Sequence, residues 1–352
     1  MFKRTTFFVL LLIIVGGLYI GSIIWCQHNI NNQILTNTIS ETRIKFGEFE
    51  KTEVFKKKRL EGFSYSFLEA SGILFTKLKP LKNTIHYSIA YKSDGLIVTG
   101  SMVTPKKDGK YPCIIFNRGG NRNYGRLDFR LINKYMTVLA EQGYIVIASN
   151  YRGNSGSEGK EEFGGKDVND ITNLISVLSK ESMADTSKIG IYGHSRGGMM
   201  SYKSLQNSNM IKVAVVMAGT TNELTAVKDR PELEKNVHAQ LIPDYYENKE
   251  KELKKRSVVF WTEELSKAPL LILHGTDDKR VNYSQAIQLS SKLDSLSFPY
   301  KMVTFKDDDH SLSQNRKEAN SMIINWFNKY LRDEKPYNEV KKQMIIINKE
   351  SP

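Results

Sequence analysis

Residues 193–197 read Gly-His-Ser-Arg-Gly, a G-x-S-x-G pattern whose central Ser195 could act as a nucleophile. The apolar run 188–192 before it is typical of a short strand, and 198–205 after it can form a helix. A sharp turn between strand and helix lifts the central side chain out of the sheet, and the flanking glycines let the two elements approach each other. Because a serine hydroxyl is a poor nucleophile at neutral pH, this interpretation requires a base and a group that orients the base.

Two later segments supply such groups, each after an apolar run typical of a buried strand. The run 270–273 leads into a polar loop that contains Asp278, and the run 303–305 leads through three aspartates to His310. Serine, acid and histidine follow one another in this chain order in α/β-hydrolases. The sequence therefore predicts a triad in which His310 takes the proton of Ser195 and Asp278 holds the histidine ring and stabilises its charged form.

These segments resemble the catalytic domain of prolyl oligopeptidase-type serine peptidases. The resemblance covers about residues 84–332 and rests on four motifs: 193–198, 274–281, the Asp-Asp-His that ends at 310, and the Tyr-Arg-Gly at 151–153. In the family's His-Gly-x-x-Asp-x-x-Val pattern the acid is the fourth residue after the histidine. The resemblance therefore implies Asp278 rather than Asp277 as the acid, and a peptidase that acts through an acyl-enzyme.

The sequence departs from that family in two places. Large members carry a β-propeller before the hydrolase domain, and the residues before about 84 cannot supply its four-stranded blades. The loop after the third strand usually reads His-Gly-Gly or Tyr-Gly-Gly in the family, whereas residues 117–120 read Asn-Arg-Gly-Gly. The oxyanion hole is therefore expected to use the backbone N–H of Arg196 and that of Gly119 or Gly120.

Three functions remain open at this stage. The family resemblance favours a peptidase that acts on short peptides, while the lack of a propeller favours a carboxylesterase that acts on small molecules. An inactive hydrolase-like domain used as a binding module is the third interpretation, and the complete triad argues against it. No pattern in the sequence indicates an oligomeric state.

The segment 1–27 is a candidate transmembrane anchor. Lys3 and Arg4 precede an uncharged run, 5–25, which is long enough to cross a bilayer as a helix. Basic residues on the short leading side favour a cytoplasmic amino terminus and a catalytic domain outside the membrane. A cleaved signal peptide, which would give a secreted protein, is the alternative; no small-x-small cleavage pattern follows the run, so the uncleaved anchor is favoured.

The remaining chain is predicted to hold one α/β-hydrolase domain with extensions. Alternating strand and helix patterns over 84–332 predict a mostly parallel central sheet with helices on both faces. Residues 28–83 are predicted to form a polar stalk and lead-in, and 333–352 a charged tail.

Within the domain, residues 221–267 are predicted to be a mostly helical lid insertion. Its Tyr245, Tyr246 and Trp261 are candidates for lining the substrate pocket. Packing of such aromatic side chains onto the body of the domain is an equal or better explanation for Tyr245 and Trp261.

The composition fits one large core: 352 residues, of which 40% are hydrophobic. The formal net charge is +13, but no zinc finger, helix-turn-helix or aromatic stacking motif accompanies it, so binding to nucleic acid is not expected. Cys26 and Cys113 have no metal-ligand spacing, and no glycine-bounded calcium loop surrounds the aspartates at 307–309. We therefore expect no metal and no cofactor.

Overall fold

A ten-stranded sheet forms the centre of the computed structural model, which describes residues 2–34, 53–61, 63–71, 81–337 and 344–347. The strands lie in the order β1-β2-β3-β5-β4-β6-β7-β8-β9-β10. Their bounds are β1 Phe55–Arg59, β2 Thr84–Ser93, β3 Leu96–Pro105, β4 Tyr111–Asn117, β5 Ile145–Ser149, β6 Ala184–His194, β7 Ile211–Met217, β8 Leu270–Gly275, β9 Tyr300–Phe305 and β10 Met344–Ile347.

The strands from β5 to β10 in sheet order run parallel, and β1, β2 and β3 are antiparallel to their neighbours. Strands β5 and β8 are buried along their whole length, as expected where helices cover both faces of a parallel sheet. The predicted α/β-hydrolase architecture, with a mostly parallel sheet, is therefore confirmed. Because the strands are parallel, the carboxyl ends of β4, β6, β8 and β9 lie at one edge of the sheet, where the candidate residues follow them.

Helices pack against both faces of the sheet. Alternate residues of β4 show this division: Cys113 and Ile115 belong to one hydrophobic core, and Ile114 and Phe116 to the other. The α-helices are Phe2–Ile34, Phe63–Ser71, Phe129–Ile132, Val138–Ala140, Asn169–Thr172, Leu174–Leu178, Arg196–Asn207, Glu223–Asp229, Pro231–Leu233, Ala239–Leu241, Tyr245–Lys255, Ser284–Ser295 and Arg316–Phe327. Turns of π-helix lie at Asn133–Thr137, Glu234–His238 and Asn328–Arg332, and turns of 3₁₀ helix at Lys166–Val168, Val258–Phe260 and Thr262–Glu264.

Both edge strands come from outside the predicted 84–332 domain. Strand β1, in the predicted lead-in, pairs with β2, and β10, in the predicted tail, pairs with β9. The four residues of β10 stand among charged residues, so their apolar run is too short to indicate a strand by itself. The central sheet therefore extends at both ends beyond the segment that the sequence indicated.

The amino-terminal helix Phe2–Ile34 packs against the α/β domain through its last turns. Cys26 and Ile30 are buried there. The Asn31 side chain accepts a hydrogen bond from the backbone N–H of Phe129, at 2.7 Å. Polar and apolar contacts thus both attach this end of the helix to the protein.

The membrane-spanning prediction for residues 1–27 is not supported. Across the described residues, none of the helices combines the length and the apolar character that crossing a bilayer requires. The helix continues past the predicted segment to Ile34, and Asn29 and Asn31 in this extension hydrogen-bond to Ser64 and Phe129 of the protein domain. The extracytoplasmic location of the catalytic domain, with secretion as its alternative, stays a prediction.

Truncation of Ile30 tests the packing of this helix. We expect Ile30→Ala to lower the free energy of unfolding by about 2–5 kcal/mol, because buried methyl groups are lost and a cavity remains. Ile24 on the same helix is 62% exposed, so the control Ile24→Ala should change that free energy by less than about 0.5 kcal/mol. Urea denaturation followed by circular dichroism measures both, and equal effects of the two substitutions would contradict the packing.

Candidate active site

The turn between β6 and the helix Arg196–Asn207 is centred on Ser195. Ser195 has φ 59° and ψ −127°, a conformation that costs a non-glycine residue about 1–3 kcal/mol. Two backbone hydrogen bonds hold it: its N–H donates to the carbonyl oxygen of Met217 at 3.0 Å, and its own carbonyl accepts from Gly198 at 2.8 Å. The predicted strand–turn–helix therefore has the strained geometry that directs the serine side chain out of the sheet.

Glycines on both sides of Ser195 allow the surrounding backbone to pack closely. A Cβ atom at Gly197 would overlap the carbonyl oxygen of Asn117 at the end of β4, and one at Gly193 would overlap the carbonyl of Gly197. Glycine is therefore needed at both flanking positions of the G-x-S-x-G pattern, because a side chain at either one would prevent the backbone segments from packing this closely.

Asp278 and His310 are in direct contact. Nδ1 of His310 lies 2.8 Å from Oδ2 of Asp278, and the other oxygen of Asp278 accepts the backbone N–H groups of Arg280 and Val281 at 2.8 and 2.9 Å. A carboxylate can only accept, so Nδ1 of His310 carries the proton and Nε2 is left as the basic nitrogen. Asp277, by contrast, is paired with the exposed Lys279.

A second histidine contacts the same carboxylate. Nε2 of the fully buried His274 lies 2.9 Å from the carbonyl oxygen of Val281 and 3.2 Å from Oδ2 of Asp278, so it carries a proton and donates to both. Burial by itself would raise the pKa of Asp278, but the hydrogen bonds from His274 and His310 lower it well below its usual range. Asp278 is therefore ionised at neutral pH, as the orienting role of a triad acid requires.

His194, the residue before the serine, holds the loop that carries His310. Its Nε2 lies 3.1 Å from the carbonyl oxygen of His310, and its ring stacks on Tyr135 with 5.3 Å between centroids. Burial, followed by the nearby His310, holds the pKa of His194 well below its usual range. It is therefore a neutral donor that positions the base.

The backbone of Gly119 lies against the side chain of Ser195. A Cβ atom added to Gly119 would lie 2.9 Å from Cβ of Ser195, whereas one added to Gly120 would overlap the carbonyl of Tyr124. Gly120 also has φ +72°. Of the two candidate glycines, Gly119 is therefore the one that lies beside Ser195. Arg196, the other candidate donor, begins the helix that follows the serine.

Gly119 and Gly120 belong to the loop that follows β4, which we call the glycine loop. Two buried guanidinium groups hold it in place. Arg118 is completely buried and donates to four backbone carbonyl groups, those of Gly119, Arg122, Tyr124 and Asn150. Burial lowers the pKa of Arg118 to about 10, which leaves it a cation at neutral pH. One side chain therefore links the loop to itself and to the end of β5.

Arg196 forms the second of these anchors. Its guanidinium donates to the carbonyl of Gly120 at 3.0 Å, pairs with Glu161, and lies 2.6 Å from Asp167. Tyr151 lies between the two arginines, with its ring centroid 4.8 Å from Cζ of Arg118 and 5.1 Å from that of Arg196. No motif in the sequence indicates which acids a buried arginine will meet, so these contacts of the Arg196 side chain are found only in the structure.

A cavity of about 700 Å³ opens at this edge of the sheet and brings the predicted residues together. Ser195, His310, Gly119 and Gly120 all line it. The other residues of its wall are Asn123, Tyr124, Gly125, Arg126, Asp128, Arg130, Leu131, Lys134, Tyr135, His194, Asp277, Lys279, Arg280, Asp309 and Ser311.

The three aromatic residues predicted for the pocket do not line this cavity. Tyr245 and Trp261 are 3% and 6% exposed and belong to the hydrophobic core on one face of the sheet. Tyr246 is 71% exposed. The prediction that they form the pocket beside Ser195 is therefore corrected: two of them pack the segment 221–267 onto the domain, and the residues after the glycine loop line the cavity instead.

Comparison with known proteins identifies the family. The sequence model of the prolyl oligopeptidase family matches residues 130–334. The chain belongs to this family. The uncharacterized peptidase YtmA of Bacillus subtilis is 28% identical over 62% of this chain and 84% of its own length. The resemblance stated from the motifs is confirmed, and with it the prediction of a prolyl oligopeptidase-like serine peptidase.

Solved structures of acylaminoacyl peptidases are similar to this chain. The uncomplexed acylaminoacyl peptidase of Pyrococcus horikoshii superposes with a TM-score of 0.64 at 28% identity, covering 76% of this chain and 44% of its own. An acylaminoacyl peptidase in complex with Z-Gly-Gly-Phe-chloromethyl ketone gives a TM-score of 0.64 at 26% identity, covering 77% and 45%. This chain thus spans less than half the length of these two peptidases.

The choice between the neighbouring acids can be tested directly. Asp278→Asn would replace the acceptor of the His310 proton by an amide, which favours the wrong ring tautomer, so we expect kcat to fall by about 10⁴-fold. Asp277→Asn removes only an exposed ion pair and should change kcat by less than about twofold. Steady-state kinetics of the two variants on one substrate decide the matter, and a larger loss in Asp277→Asn would exclude Asp278 as the acid.

Proposed function

We propose that this chain hydrolyses amide bonds of short peptides through an acyl-enzyme formed on Ser195. The observation that carries this proposal is the contact between Asp278 and His310 at the wall of the cavity that also holds Ser195. Family membership supports it, since a reactive serine with an ordered histidine base is the arrangement that acyl transfer needs.

The first step forms a tetrahedral intermediate on Ser195. Nε2 of His310 takes the proton of Ser195 as Oγ attacks the carbonyl carbon, and the electron pair of the C=O double bond moves to the oxygen. The backbone N–H groups of Gly119 and Arg196 are the proposed donors to this oxyanion, each worth about 3 kcal/mol of the barrier. Asp278 stabilises the imidazolium that results.

The second step releases the amine and leaves the acyl-enzyme on Ser195, which water then hydrolyses. His310 gives its proton to the leaving nitrogen as the carbon–nitrogen bond breaks and the oxyanion reforms the carbonyl group. A water molecule then attacks the acyl group while His310 takes its proton, and His310 returns that proton to Oγ of Ser195 as the carbon–oxygen bond to Ser195 breaks and the acid is released. No metal or cofactor takes part in this proposal, because each proton has a side chain that accepts or donates it.

Short peptides are the proposed substrates. The proteins that this chain resembles include peptidases, and one of the similar structures is an acylaminoacyl peptidase in complex with Z-Gly-Gly-Phe-chloromethyl ketone, a short peptide derivative. A cavity of about 700 Å³ is within the size range of sites that bind molecules as large as a short peptide.

Labelling with a fluorophosphonate probe tests the nucleophile. We expect the probe to label the wild-type protein and not Ser195→Ala, because the reaction needs a hydroxyl activated by His310. Ser204→Ala is the control and should still be labelled, since Ser204 is a fully buried serine on the same helix whose hydroxyl donates to the carbonyl of Met200. Labelling that persisted in Ser195→Ala would refute the proposed nucleophile, and failure to label the folded wild-type protein would favour a binding module.

A substrate panel tests the bond that is cleaved. We expect aminoacyl and prolyl amides to be hydrolysed, with kcat/KM lowered by about 10³-fold or more in Ser195→Ala. Hydrolysis of p-nitrophenyl esters alone, with no cleavage of any amide, would contradict the peptidase and favour the carboxylesterase.

A further inference from the structure

The cavity beside Ser195 has a positively charged wall. Arg126, Arg130 and Lys134 follow the glycine loop at intervals of four residues, and all three line the cavity. Within the described part of the chain, none of the three has a carboxylate within 4 Å. These cations are thus not accounted for by pairing within the protein.

The acids of the same wall already have partners. Asp128 accepts the backbone N–H of Leu131 at 2.7 Å at the start of a helix. Asp309 accepts from the backbone of Ser311 and from both the backbone and the hydroxyl of Ser313. Asp277, the third acid of the wall, pairs with Lys279. These acids keep their negative charge, and Asp309 interacts with Lys134, but the five lysines and arginines of the wall outnumber its three aspartates, so the cavity keeps a net positive charge that a bound anion can meet.

Lys134 is the cation that gains most from an anionic partner. It is partly buried, and its ammonium nitrogen lies 5.1 Å from the ring centroid of Tyr135. Burial, together with the positive charges of Arg316 and Arg130, lowers the pKa of Lys134 to about 8. A cation that has lost water and meets other cations is stabilised by a carboxylate more than a fully hydrated one is.

We propose that Arg126, Arg130 and Lys134 form a subsite for a carboxylate group of the substrate, next to the bond that Ser195 attacks. The substrates would then be short peptides with an acidic side chain or a free carboxyl terminus near that bond. The proposal rests on the proposed peptidase function and specifies its substrate class. Charge-assisted hydrogen bonds to a carboxylate provide the recognition, and guanidinium groups can make two at once.

Binding to Ser195→Ala tests the subsite independently of catalysis, because this variant leaves the peptide intact. Two pairs of peptides are compared by calorimetry: N-acetyl-Ala-Glu-Ala-amide with its Gln analogue, and N-acetyl-Ala-Gln-Ala with its carboxyl-terminal amide. We expect at least one carboxylate peptide to have a Kd about tenfold lower than that of its neutral partner. The pair that shows the difference identifies the side chain or the terminus as the group recognised.

A lysine substitution shows where the carboxylate binds. In the Ser195→Ala background, Lys134→Met should reduce the tenfold difference to less than about threefold and change the Kd of the neutral peptide by less than about twofold. Lys301→Met is the matched control, because Lys301 is partly buried at the other end of β9 and does not line the cavity. It should leave the difference intact.

The pH and salt dependence of the same Kd ratio provide a second readout. The ratio should fall as pH rises through the pKa of Lys134, because its ammonium loses the charge above that value, and it should fall as ionic strength rises from about 50 to 500 mM. The charged or titratable groups around Lys134 are Arg130, Arg316, Asp309, Tyr135 and His194. The arginines keep their charge over this range, so the fall with pH is expected to be partial.

Two results would overturn the subsite. One is equal affinity, or no measurable affinity, for the charged and neutral members of both pairs; the other is a difference that Lys134→Met leaves unchanged. Either result leaves fluorophosphonate labelling of the wild-type protein unaffected. Failure of the subsite and failure of the proposed hydrolase function are therefore distinguishable.

Discussion

The close approach of the glycine loop to the turn at Ser195 is the constraint on which the rest of the site depends. Gly197 lies against the backbone of Asn117, and Gly119 lies against the serine side chain. These contacts connect the ends of β4 and β6 through backbone atoms, which cannot change rotamer. A nucleophile in a strained conformation keeps one orientation only if its surroundings prevent relaxation, and here packed backbone does so.

Two buried arginines also hold the glycine loop against the turn at Ser195. Arg196 joins Gly120 to Glu161 and Asp167, and Arg118 joins the loop carbonyls to one another. Placing charges in the interior is costly unless every partner is present, so such a network tolerates few alternative loop conformations. Arg196, whose backbone N–H is a proposed oxyanion donor, thus also uses its side chain to fix the loop that lines the cavity.

The sequence predicted which residues meet at the candidate site better than it predicted their surroundings. Ser195, Asp278 and His310 follow strands with regular apolar patterns, so the parallel sheet brings them to one edge in a way that the pattern indicates. The cavity wall could not be predicted in this way. Tyr245 and Trp261 are apolar enough for either a pocket or a core, and only the packing of the segment 221–267 decides between the two.

The extensions of the chain show the same limit of local patterns. A long uncharged run indicates a transmembrane helix by composition, yet the burial of Cys26 and Ile30 depends on residues far away in the sequence. Strand β10 likewise exists because β9 offers an edge with which four apolar residues can pair. Neither contact leaves a periodic signal in the segment itself, so only the tertiary structure reveals it.

The charges around His310 must satisfy two requirements that oppose each other. The imidazolium formed during catalysis is stabilised by the ionised Asp278, whereas every cation nearby raises its free energy. The ring of His194 is only 5.0 Å from that of His310, and burial keeps it neutral, so this nearest ring adds no positive charge. The cations of the cavity wall repel the imidazolium as long as they lack a counter-ion. A substrate carboxylate bound there would neutralise that repulsion, and its binding would then favour the same proton transfer that cleaves the substrate.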